Sequence, residues 1–123
     1  MILAVELEIV DLADIRARMR DDPGLAGRVL TDDERAWCLA QSDPAPGLAA
    51  RLAAKTAALR ALGLESAPPA WHDVEIVRDP SGKPSLRLTG VAAGTADARD
   101  VVAMHVSLTH ARDQAAAAIV FEG

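Results

Sequence analysis

Between Ile2 and Val10 apolar and acidic residues alternate, with Val5, Leu7 and Ile9 interleaved with Glu6 and Glu8. A period of two is that of a strand with both glutamates on one face, and periodicity alone makes that the solvated face. Asp11 or Asp14 can cap a helix running to about Met19, which Asp21-Asp-Pro-Gly24 ends. Leu25 to Leu30 reads as a short helical turn, and Thr31-Asp-Asp-Glu34 is a capping-box pattern opening a helix to about Gln41. Ser42 to Gly47 is a loop. Leu48, Leu52, Leu59 and Leu62 then return near one stripe of a long helix, Leu48 to Leu62, with Gly63 as its stop. After Ala67-Pro-Pro-Ala70 the period falls to two again. Val74 and Ile76, then Leu86 and Leu88, flank the Gly- and Pro-bearing turn Asp79 to Pro84 as a hairpin. Ala92 to Arg99 predicts a short helix, and Val101 to Thr109 and Ala115 to Phe121 predict two strands joined by a turn at Ala111 to Gln114. One strand, a helical middle and mostly antiparallel strands make an α+β fold.

Composition narrows this picture. A chain of 123 residues fits a single domain over residues 1–123. Trp37, Trp71 and Phe121 are its only aromatics, so the core should be aliphatic, and an oligomer interface would supply burial that such a core lacks. The net charge of −5 argues against nucleic acid as the main partner, although a local basic cluster can still hold a small anion. No apolar run approaches the roughly 20 residues of a membrane span, and the start lacks the pattern of a secretory signal. A soluble, cytoplasmic protein is expected. Cys38 is the only cysteine, which excludes a disulfide framework or zinc spacing, and it reads as a small buried thiol rather than a nucleophile.

Two groups of residues carry chemistry. His105, Ser107 and Thr109 share one face of the penultimate strand, with His110 at its end, where an imidazole can serve as a general base or a phosphate donor. Arg51, Lys55 and Arg60 lie on the long helix, Arg51 and Lys55 four residues apart. By spacing alone they form a solvated basic face.

Six stretches together change the odds on that face. Glu8-Ile-Val-Asp-Leu12, Arg51-Leu-Ala-Ala-Lys-Thr-Ala57 with Ala61-Leu-Gly63, Trp71-His-Asp-Val-Glu-Ile76, Gly82-Lys-Pro84, Leu88-Thr-Gly90 and His105-Val-Ser-Leu-Thr-His110 occur in this order. In order and spacing they resemble the 4'-phosphopantetheinyl transferases of the small holo-acyl-carrier-protein synthase type, over nearly the whole chain. The resemblance implies a homotrimer with sites between subunits, binding coenzyme A with magnesium and docking an acyl carrier protein, to whose serine the phosphopantetheine is moved. It also implies that Arg51, Lys55, Arg60, Lys83, His105 and Ser107 match the region holding the nucleotide and phosphates of coenzyme A, with Thr109 beside them.

Two positions depart from the family pattern. The metal-binding aspartate of the opening motif is Glu8, and the metal-binding glutamate after the helix lysine is Thr56. Magnesium takes hard, anionic oxygens in a tight octahedron, so a longer acid and a neutral hydroxyl should weaken its site, and phosphoryl transfer with it. The departures favour changed chemistry on a carrier-bound chain in polyketide or peptide biosynthesis. That reading is a Dieckmann-type cyclisation to a tetramate with no required metal or cofactor. His110 would be its base, His105 or Lys55 would stabilise the enolate or oxyanion, and Ser107 and Thr109 would position it. One alternative is the family's transfer from coenzyme A, with Mg²⁺ held weakly by Glu8 and waters or Asp11. The other is a catalytically inactive subunit that binds the carrier protein.

Overall fold

The computed structural model describes residues 1–66 and 69–123. The Ala67 to Ala70 break therefore lies partly outside the described residues. In chain order the elements are β1 (Ile2–Asp11), α1 (Leu12–Asp21), α2 (Leu25–Val29), α3 (Asp32–Leu39), α4 (Ala45–Ala61), a 3-10 turn (Trp71–Asp73), β2 (Val74–Arg78), β3 (Pro84–Leu88), α5 (Gly90–Ala98), β4 (Ala103–His110) and β5 (Gln114–Glu122). The sheet order is β1-β5-β4, antiparallel throughout, and β2 and β3 form a separate hairpin. This is the expected α+β arrangement. No helix among the described residues is long and apolar enough to cross a membrane.

The long helix α4 is the centre of the molecule. Ala49, Ala53, Ala54, Ala57 and Ala58 are all fully buried, and Leu48, Leu52 and Leu59 nearly so. A helix hydrophobic all round belongs inside a domain, and small side chains let its neighbours approach closely. One side packs on Val74, Ile76, Ile119 and Phe121, while its N-terminal half packs on Leu12, Ile15, Leu25, Val29 and Leu30. Cys38 is in the second group, and burial raises its thiol above the ordinary range, in keeping with a buried thiol.

The ends of α3 and α4 follow local rules. The Thr31 side chain accepts from the Glu34 amide and the Glu34 carboxylate accepts from the Thr31 amide, a complete capping box. At the C-terminus of α4, Gly63 takes φ +71, and the Leu64 and Gly63 amides donate to the Leu59 and Arg60 carbonyls. That closure needs a left-handed residue, which glycine adopts without strain. The helix begins three residues before the expected Leu48. Pro46 lies in its first turn, where a missing amide costs no intrahelical bond, so a stretch read as a loop is helical from Ala45.

The expectation for β1 is corrected. Glu6 and Glu8 do not lie on a solvated face: they are the half-buried members of the alternation, on the side of Ala4 and Val10, which pack against the core. Leu3, Val5, Leu7 and Ile9 are the exposed ones, at 41–65 %. The physical reason is Arg60, which reaches from α4 to both carboxylates.

Candidate functional site

The cations of α4 have different surroundings. Lys55 has no exposed surface. Its ammonium donates to Glu34 Oε1 at 2.5 Å and to the Trp71 carbonyl at 3.1 Å. The same carboxylate also accepts from the Thr31 and Ile76 amides, each at 2.9 Å, so it joins α3, α4 and β2 in one buried network. Burial lowers the Lys55 pKa and the Glu34 charge opposes that shift. Lys55 therefore does not face an open groove, either as an enolate stabiliser or as a phosphate ligand.

Arg51 is equally buried, at 2 % exposure, but lacks such partners. Its Nη1 donates to the Gly47 carbonyl at a long 3.3 Å, and its Nε has no hydrogen-bond partner among the described residues. Among the described residues no carboxylate lies within ion-pair distance of it. Its pKa is lowered, chiefly by burial. Arg51 lines a pocket of about 470 Å³ together with Trp37, Arg78, Thr109 and His110. An uncompensated buried charge is costly, so a buried guanidinium without a carboxylate at the wall of a pocket is chemically suited to an anion.

The structure thus brings together Arg51, Thr109 and His110 and disperses the remaining candidates. His105 is exposed on the outer face of β4, its Nε2 2.5 Å from Glu122 Oε1. It stands five residues from His110, roughly 17 Å along the strand. Ser107 and Thr109 lie on that outer face between them. Lys83 is exposed in the hairpin turn, where its amide donates to Asp79 Oδ1, and it lines none of these pockets. Arg60 is nine residues from Arg51, about half a revolution round the helix. There it pairs with Glu8 at 2.9 Å, Glu65 at 3.4 Å and Glu6 at 3.5 Å. Trp37 and Arg78 were missed because they come from α3 and the end of β2, and no local spacing links them to Arg51.

Glu8 and Thr56 do meet, in a cleft of about 780 Å³ that also exposes Asp11, Asp14, Arg18 and Gln114. These residues do not fit a magnesium ion held between two carboxylates. Thr56 brings no charge, Glu8 is already neutralised by Arg60, and Asp11 accepts from Gln114 Nε2 at 3.1 Å. Among the described residues no group of three or more His, Cys, Asp or Glu side chains is placed to hold a metal.

The model of the 4'-phosphopantetheinyl transferase superfamily matches residues 7–120. The chain belongs to this superfamily. Within it the chain is of the holo-acyl-carrier-protein synthase type. It is 41 % identical over 123 residues to the holo-[acyl-carrier-protein] synthase of Clavibacter michiganensis, covering 100 % of this chain and 98 % of the relative. The acyl carrier protein synthase of Mycobacterium tuberculosis superimposes with a TM-score of 0.74 at 34 % identity, covering 99 % of this chain and 98 % of that one. The Bacillus anthracis synthase, solved in complex with CoA (3',5'-ADP), gives 0.80 at 25 % identity, covering 98 % and 96 %. The phosphopantetheinyl transferase fold is thus present in full, while of the two acids of the family pattern one is the longer Glu8, paired with Arg60, and the other is the neutral Thr56.

Proposed function

We propose that this chain transfers the 4'-phosphopantetheine group of coenzyme A to a serine of an acyl carrier protein. The observation that carries the reading is the full-length likeness, at 41 % identity, to a protein named for that activity. The cyclase favoured from the sequence finds no support among these relatives, and the transferase, its alternative there, takes its place. In the transfer the serine oxygen attacks the phosphorus that bears pantetheine, the bond from that phosphorus to the nucleotide's phosphate oxygen breaks, and 3',5'-ADP leaves. His110, which lines the same pocket as Arg51, takes the serine proton. Arg51 and Arg78 hold the phosphate charge with paired N–H donors. Glu8, paired with Arg60, and the neutral Thr56 do not fit a metal, which leaves the phosphate charge to the guanidiniums.

A homotrimer goes with this reading. Its support is the exposed row Leu3, Val5, Leu7 and Ile9, an apolar face of the kind that second copies cover. In the sheet order β1-β5-β4 that row shares the outer face with His105, Ser107 and Thr109, so a neighbouring copy would complete the site. A single unpaired cysteine accords with a cytoplasmic setting.

The test is to incubate the protein with an apo carrier, coenzyme A and Mg²⁺ and to follow the carrier by mass. The expected result is a carrier heavier by one phosphopantetheine, made by a protein that sediments as three subunits. An unmodified carrier, with ring release from a carrier-linked β-ketoacyl-aminoacyl thioester, would replace the transferase with the cyclase. Sedimentation as a single subunit would remove the trimer.

A further inference from the structure

Trp37 projects from α3 and keeps 37 % of its surface. Two guanidiniums lie over its indole, with Arg51 Cζ at 4.2 Å and Arg78 Cζ at 4.7 Å from the ring centroid. The three side chains come from α3, α4 and β2, so one ring ties together three elements. Each guanidinium gains from the ring's quadrupole, but the two like charges repel one another. Neither cation has a carboxylate within ion-pair distance among the described residues. Arg78 donates to the Gly82 carbonyl at 2.8 Å, and among the described residues Arg51 has only the Gly47 carbonyl, with its Nε unpartnered. The packing under the ring is tight: a Cβ on Gly47 would come within 3.1 Å of both the indole and Cys38 Sγ. The two cations stand side by side on the wall of one pocket with no carboxylate in ion-pair contact among the described residues; the acids Asp33, Glu34 and Glu75 line the neighbouring cavity on their other side, which leaves the Thr109 and His110 side as the one an added anion would fill.

We propose that Trp37 is a positioning residue that holds Arg51 and Arg78 in a preformed clamp for a phosphate-class anion. Under the transferase reading, on which this identity rests, that anion is a phosphate of coenzyme A. The indole orients two planar forks that free arginine side chains would have to order on binding. Its effect therefore falls on affinity rather than on the chemical step.

Three variants separate this role from simple packing. Trp37→Phe keeps an aromatic face, Trp37→Leu keeps apolar cover without one, and Arg78→Lys keeps an exposed charge without the planar stack. Coenzyme A and inorganic pyrophosphate are titrated into each protein by calorimetry, alongside kcat, KM and Tm. Trp37→Leu is expected to weaken both ligands and raise KM about tenfold with kcat held within about twofold, and Trp37→Phe to recover most of the loss. Arg78→Lys is expected to weaken both ligands severalfold, and it serves as the reading if Trp37→Leu fails to fold. Leu and Phe variants that match each other, whether both weak or both unchanged, would overturn the proposal, as would a fall in kcat at constant KM. Pyrophosphate binding that responds to Trp37 in a protein that never modifies the carrier would keep the clamp and remove the transferase. A wild-type protein that binds neither ligand at millimolar concentration would overturn the clamp itself.

Discussion

The two sides of α4 treat positive charge in opposite ways. On the side facing α3 and the hairpin, Lys55 is fully buried and saturated by Glu34 and the Trp71 carbonyl, and Arg51, one turn away, is nearly as buried but has no carboxylate in ion-pair contact among the described residues. On the side facing β1, Arg60 keeps about a third of its side chain exposed and meets three glutamates, with neutral Thr56 one turn before it. What a cation does is decided by its partners and not by its presence in a basic row. The saturated lysine holds elements together, the arginine without a carboxylate lies at the wall of a pocket, and the exposed arginine offsets part of the charge of the acids around it.

The largest effect should come from opening the saturated network. Glu34→Ala removes the partner of a buried ammonium, an acceptor for the Ile76 amide and half of a capping box. Stripping a buried ion pair of one member costs about 3–5 kcal/mol. Chemical denaturation should show that loss with an unchanged m-value, and a loss below about 1 kcal/mol would mean that Lys55 finds other partners. A smaller effect tests the β1 side. Thr56→Glu combined with Glu8→Asp adds one carboxylate and shortens the other, and should tighten Mn²⁺ binding, read by electron paramagnetic resonance on the protein alone, by at least about tenfold. A wild-type protein that binds Mn²⁺ as well as the double variant would show that Arg60 does not close the site.

Much of this contrast lies beyond what a one-dimensional reading reaches. The Thr31–Glu34 capping box, the Gly63 stop and the hairpin about Asp79 to Pro84 were legible because each is set by residues within a few positions of one another. The six stretches at family spacing gave the fold. Lys55 was misplaced because its partner Glu34 lies 21 residues earlier on another helix, so a buried pair looks like half of a basic face. The orientation of β1 was inverted for a related reason: alternation fixes that two faces differ, but which one meets the core depends on Arg60, 52 residues on from Glu8. The clamp at Trp37 assembles from three elements and left no periodic trace. His110, picked out by its chemistry at a strand end, and Arg51, picked out by the family resemblance, do share a pocket, whereas His105 and Lys83, picked out on the same two grounds respectively, do not line it.

The smallest expected effect is Arg60→Gln, and its interest lies in how it depends on conditions. Glu8 and Glu6 sit two residues apart on one face of β1, and the guanidinium between them is what makes that spacing tolerable. The Glu8 hydrogen bond is the largest cause that raises the Arg60 pKa, with both glutamate charges adding to it. A base whose pKa is raised on folding contributes stability that is fully present below its ordinary value. For an arginine this covers the whole working range, so changing pH between neutral and mildly alkaline should leave the difference between variant and wild type unmoved. Salt should not. The pairs are partly exposed, which holds their worth to about 1 kcal/mol or less. Raising ionic strength from about 0.05 M to about 1 M shortens the screening length to about 3 Å, weakening the wild-type attraction and the variant's Glu6–Glu8 repulsion together. The gap in Tm should therefore close with added salt. A gap that persists at high salt would locate Arg60's contribution in the packing of its methylene stem along α4 instead of in its charge.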